Sequence, residues 1–232
     1  MKKNLCLTAA VLLTSLCLSA QATTYLGNGN TTWGGAVGSG TLNLTDDGTT
    51  LNLTLTKGPG NLNDALVIYV DSVAGGFSDT SGFTDTGDGA RSAISGFNGA
   101  SRSTMTFAAG FQPDYAVTIE GTYASLFTLA NGSAFTWDSG VAQAGGTSPT
   151  FSLSFPLASI GVSAGQSFEL FGTYIGTSAW RGPEAIAGND TGTDGYNPFT
   201  QTTFSVYTVP EPSTFALLGA GLASLIWFRR RQ

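Results

Sequence analysis

The sequence predicts an all-β fold: a single antiparallel β-sandwich, jelly-roll-like, flanked by an N-terminal signal peptide and one C-terminal transmembrane helix. Three observations lead there. Only 10% of the 232 residues are charged while Gly alone numbers 32, which leaves little material for the exposed faces of a helical bundle. Short runs that alternate apolar and polar residues recur through the interior, separated by Gly-, Ser- or Asn-containing turns. The ends differ from this interior, each carrying an apolar run beside a basic cluster. At 41% hydrophobic and 11% aromatic the chain can still build a core, and its length suits one all-β domain.

The elements follow in order. Lys2 and Lys3 precede the apolar stretch Leu5 to Leu18, and Ala20-Gln21-Ala22 reads as a small-x-small cleavage site. Residues 1–22 are thus expected to be a secretory signal peptide removed by signal peptidase, taking Cys6 and Cys17 with it. Thr41 to Thr45 and Leu51 to Thr56 alternate around Asp46-Asp47-Gly48, a hairpin signature. Ala65 to Val70 is continuously apolar and reads as a strand buried on both faces. Further strands are expected at 103–107, 115–120, 125–129, 134–137, 150–155, 168–175 and 203–208, about ten in all. No helical period appears between the ends beyond a turn at 156–160. No fixed-period repeat marks a solenoid. The β-sandwich domain should therefore occupy residues 23–208.

The last segment, residues 209–232, has its own pattern. Val209-Pro210-Glu211-Pro212-Ser213 leads into an apolar run to Phe228, then Arg229, Arg230 and Arg231. A helix over 213–228 would be about 24 Å long at ~1.5 Å per residue, slightly short of a ~30 Å hydrocarbon core. Snorkelling arginines cover the difference and keep the basic tail, 229–231, in the cytoplasm. This Pro-Glu-Pro motif, short apolar helix and basic cluster, in that order, resembles the PEP-CTERM sorting signal of bacterial exported proteins. The resemblance implies that Pro210, Glu211 and Pro212 are the sorting motif recognised by an exosortase. It also implies transient inner-membrane anchoring by the C-terminal helix, then release to the cell surface or an extracellular matrix, in the setting of exopolysaccharide production and biofilm.

A second resemblance lies in the middle. Ala65 to Ser72 runs into Gly75-Gly76-Phe77, and Phe111-Gln112-Pro113-Asp114-Tyr115-Ala116-Val117 follows. This is similar to extracytoplasmic β-sandwich modules of the DOMON and carbohydrate-binding type, which implies a sugar or haem ligand. The chain has no His, and neither Met105 nor Met1 makes a haem pair, so sugar remains.

Charge and composition bound the chemistry. The absence of His excludes Ser-His-Asp and Cys-His catalysis and His-liganded metal. Between Thr23 and Val209 there are four basic and fourteen acidic residues, a formal charge of −10, so nucleic acid is not an expected partner. Asp79, Asp85 and Asp88 crowd one Gly-rich loop and, with Asp71 at the preceding strand end, could bind calcium, although Asp and Gly also serve turns without metal. Asn189 to Gly195 is a weaker loop of the same kind. Trp180 and Tyr196, with Arg181, Glu184 and Asn189 as polar neighbours, could form a sugar platform, the alternative for each aromatic being a place in the core. Glu120, Glu169 and Glu184 could supply a hydrolase's acid pair, yet no motif pairs any two, and no catalytic residue or further cofactor is assigned. The expected function is a non-catalytic structural component associated with exopolysaccharide. A carbohydrate-binding module is the first alternative, and a secreted glycan hydrolase the second.

Overall fold

The computed structural model describes residues 22–211. Most of the expected signal peptide, Pro212, the helix over 213–228 and the basic tail lie outside the described residues. Among the described residues no helix is long and apolar enough to cross a membrane.

The chain is built mainly of β-strands, numbered here in chain order. β1 (Ala22–Leu26), β2 (Thr41–Asp46), β3 (Thr50–Thr56) and β9 (Thr150–Pro156) form a four-stranded antiparallel sheet in the order β1-β2-β3-β9. The alternation read in the sequence sets its two faces. Leu42 and Leu44, Leu51, Leu53 and Leu55, and Phe151, Leu153 and Phe155 point inward, while Thr, Asn and Ser point out. The β2–β3 turn is held by Asp46, whose carboxylate accepts the Gly48 N–H, and by Asp47, which accepts the Thr49 and Thr50 N–H groups.

A larger sheet runs β12 (Gly188–Thr191), β13 (Phe199–Thr208), β10 (Ser167–Ile175), β4 (Ala65–Asp71), β6 (Tyr115–Ile119), β7 (Tyr123–Thr128), β8 (Thr136–Ala142). β11 (Arg181–Ile186) pairs with β10, and the short β5 (Met105–Thr106) runs parallel to β13. One face of this sheet shares a core with the small sheet: Leu66, Ile68 and Val70 meet Leu42, Leu53 and Leu153 in one cluster. The opposite face carries Val67, Tyr69 and Phe171, covered by Phe83, Ile94 and Phe111 from the long connection between β4 and β6. β4 is accordingly buried on both sides, as its unbroken apolar run requires.

Gly76 shows how that connection closes. Its φ is +88°, and a Cβ there would stand 1.9 Å from the Gln112 carbonyl oxygen, so only glycine admits the segment that leads into β6. The Gly75-Gly76-Phe77 and Phe111–Val117 pieces singled out in the sequence thus touch.

Four elements depart from the expectation. The sequence predicts no strand at β1, β11 or β12. A helix, α1 (Gly89–Ser95), stands where none was expected, with Asp88 accepting the Arg91 N–H at its start and Gly96 left-handed at its end. At seven residues it is too short to print a period. The turn expected near 156–160 is a 3₁₀ turn, Leu157–Ile160. At the C-terminal side Val209 is fully buried, its N–H donating to Gln166 O and its carbonyl accepting from Gly165. Pro210 and exposed Glu211 follow at once.

Candidate functional site: an aromatic face around Asp194

Two connections meet at one end of the large sheet. The turn between β10 and β11 closes through Ala179 N–H to Gly176 O and Gly176 N–H to Trp180 O. The loop between β12 and β13 is drawn onto it by paired backbone bonds of Arg181 and Gly195, at 3.2 and 2.9 Å. These bonds bring Trp180 and Tyr196 together, ring centroids 5.0 Å apart and edge to face. Both remain at the surface, 42% and 39% exposed, although large aromatics usually find cover.

Trp33 joins them from the far end of the sequence. Its indole N–H donates to Asp194 Oδ1 at 2.9 Å, and the Trp180 indole N–H donates to the same oxygen at 2.8 Å. One carboxylate therefore fixes the angle between two indoles. Asn197 Nδ2 holds the Thr193 and Asp194 carbonyls, and Asn98 Nδ2 reaches Ser178 O and the Tyr196 hydroxyl. Trp33 lies edge-on to Tyr174 and directly over Gly182, where a Cβ would come within 2.7 Å of the ring. The sequence singles out neither Trp33 nor Asp194. Neither carried a local signal, because the two residues are 161 positions apart.

The expected polar partners of this face are not on it. Glu184 is fully buried, and its carboxylate accepts four backbone N–H groups of the 33–38 loop: Trp33 and Gly35 on Oε1, Val37 and Gly38 on Oε2, at 2.8–3.0 Å. Arg181 is also fully buried and donates to Thr173 Oγ1 and Ser103 O, with Phe199 under its guanidinium. Buried polar groups must make their bonds inside, so both residues build the floor and leave the surface here to Trp33, Trp180, Asp194 and Tyr196. Asn189 lies elsewhere, bonded to Asn28.

Beside Arg181 lies Asp190, buried on β12 opposite Gln201. Its carboxylate is near enough to Arg181 and Thr173 for both to lower its pKa, yet no partner meets it in hydrogen-bond geometry. Burial outweighs them and pushes the pKa up to about 6.

The four aspartates read as a calcium set are dispersed into separate local tasks. Asp71 accepts the Gln112 N–H, and its pKa is raised by burial and the nearby Asp114. Asp79 accepts the Ser81 N–H, which holds its pKa low. Asp85 is buried, accepts from Gly87 and Phe135 and pairs with Arg91. Asp88 caps α1 and also pairs with Arg91. Among the described residues no three His, Cys, Asp or Glu side chains converge to hold a metal ion. The three glutamates considered for hydrolysis are also apart. Glu120 lines a cleft with Asp64 and Thr177, Glu169 lines another with Asp71 and Phe168, and Glu184 sits inside.

Comparison with known proteins adds the C-terminal end. No curated protein and no solved structure matches the chain. Residues 208–231 match the PEP-CTERM protein-sorting motif, and Pro210 and Glu211 of that motif directly follow the last buried residue of the fold. The chain therefore carries a PEP-CTERM sorting motif, which implies an exosortase-targeted, exported protein with transient membrane anchoring through its C-terminal region.

Proposed function

We propose that the protein is a non-catalytic structural component of an exopolysaccharide or biofilm matrix, and that it holds glycan on the face formed by Trp180 and Tyr196. On this reading signal peptidase trims the N-terminus, exosortase processes the C-terminus, and a jelly-roll-like β-sandwich is delivered to the cell surface. The observation that carries the glycan part is the half-exposed pair of Trp180 and Tyr196, with the Trp180 indole fixed by Asp194 and the Tyr196 hydroxyl met by Asn98. Ordered aromatic rings stack on the C–H face of a sugar without the entropy loss of ordering on contact.

The test is retention. Wild type and a Trp180→Ala/Tyr196→Ala variant are expressed in cells with and without exosortase, and the protein in the washed polysaccharide layer is quantified. Wild type should be retained only when exosortase is present, and the double variant should wash out in both strains. Equal retention of variant and wild type would overturn the glycan reading.

A further inference from the structure

We infer that the glycan recognised on this face carries free amino groups, an inference that rests on the glycan reading above and names its chemical class. Two observations lead to it. The first is the fate of the basic residues between Thr23 and Val209, all four of which are engaged within the fold. Lys57 donates to the Gly58 and Gly60 carbonyls, Arg91 is held by Asp85 and Asp88, Arg102 donates to the Thr80 and Phe83 carbonyls, and Arg181 is buried. Asp47, Asp138 and Asp194, in contrast, are exposed and make no ion pair among the described residues. The described surface offers carboxylates to a partner and keeps its cations for itself, which disfavours a uronate or sulfated polymer.

The second observation is the place of Asp194 within the aromatic face. Its Oδ1 is drawn on by two indole N–H groups, and the residue is exposed beside Trp180. An ammonium on a sugar stacked at Trp180 would lie within reach of that carboxylate, and the ion pair would add to the stacking. A neutral sugar can offer that carboxylate hydroxyl donors only, whereas an ammonium adds charge to the bond. The geometry thus adds charge selection to stacking: the rings take the sugar's apolar face and Asp194 takes its amine.

The experiment uses the full-length chain in detergent and three soluble oligosaccharides titrated calorimetrically: a hexosamine oligomer with free amines, the same oligomer N-acetylated, and a uronate oligomer. The free-amine oligomer should bind about 5-fold more tightly than its acetylated form, the scale of one exposed ion pair, and the difference should shrink as salt is raised. Asp194→Asn keeps an oxygen to accept from the indoles while removing the charge, so the free-amine and acetylated oligomers should bind the variant equally. Equal binding of free-amine and acetylated oligomers, or uronate binding as tight as either, would overturn the amine assignment while leaving the glycan reading standing, provided Trp180→Ala still abolishes binding. Loss of acetylated-oligomer binding in Asp194→Asn would make Asp194 a holder of the indoles only and would also overturn it. Failure of all three oligomers to bind wild type would overturn the glycan reading itself.

Discussion

Glu184→Gln is the sharpest single test of how the aromatic face is supported. The native carboxylate accepts two backbone N–H groups on each oxygen, four in all, from a loop about 150 positions upstream. Glutamine keeps one accepting oxygen and presents an NH₂ where the other stood. Two hydrogen bonds are lost, and two buried N–H groups then face a donor. At about 1.5–2.5 kcal/mol for each bond to a charged acceptor, the change costs about 3–5 kcal/mol. For a chain of this size each kcal/mol moves the midpoint of thermal unfolding by about 2–4 °C, so a drop of about 6–20 °C follows. The assay is thermal and urea unfolding of wild type and variant followed by circular dichroism, with Glu211→Gln as the control at an exposed position. The control should shift stability by no more than about 0.5 kcal/mol. If Glu184→Gln lies within about 1 kcal/mol of wild type at an unchanged urea slope, the four bonds do not hold the loop and the reasoning fails.

Two further outcomes follow from the same region. Asp190 has a folded-state pKa of about 6 against 3.8 for the free group, so the folded protein holds this proton more tightly than the unfolded chain does. The stability it contributes is complete below about pH 3.8 and is lost as pH rises through about 6, in total about 3 kcal/mol; Asp190→Asn should flatten that part of the stability–pH curve measured by urea titration. Gly182→Ala should push the Trp33 ring off its seat, since a Cβ would stand 2.7 Å from it. The cost is about 1–3 kcal/mol, together with a shift in tryptophan fluorescence; an unchanged spectrum would mean that the ring does not depend on that contact.

How much of this was legible in the sequence depended on whether the determining partner was local. β2, β3 and β9 announce themselves because inward Leu and Phe alternate with outward Thr, Asn and Ser. β11 was hidden because it spells Arg-Gly-Pro-Glu-Ala-Ile, a composition of turns and surfaces. Its charged residues are tolerated only because Arg181 finds Thr173 and Glu184 finds the 33–38 loop. β12, Gly-Asn-Asp-Thr, reads as a turn for the same reason. Trp180 and Tyr196 were recognisable as candidate stacking residues by type and neighbourhood. Arg181 and Glu184 were misplaced because adjacency in the chain says nothing about which side of a strand a residue takes or what waits there. The dispersal of Asp71, Asp79, Asp85 and Asp88 makes the same point: Asp and Gly crowded into one loop encode caps and turns as readily as a cation site.

The burial of Val209 has a consequence for timing. A processing enzyme that takes its substrate as an extended strand must grip residues on both sides of the bond it cuts. Immediately upstream of Pro210 both backbone groups of Val209 are committed to Gln166 and Gly165, and its side chain is enclosed. Those residues are free to be gripped only before the end of β13 has closed, or while it is open again. For a cut next to Pro210, folding and trimming would compete for the same few atoms, and the rate at which one terminal strand zips shut would become a clock for when the tail can be cut.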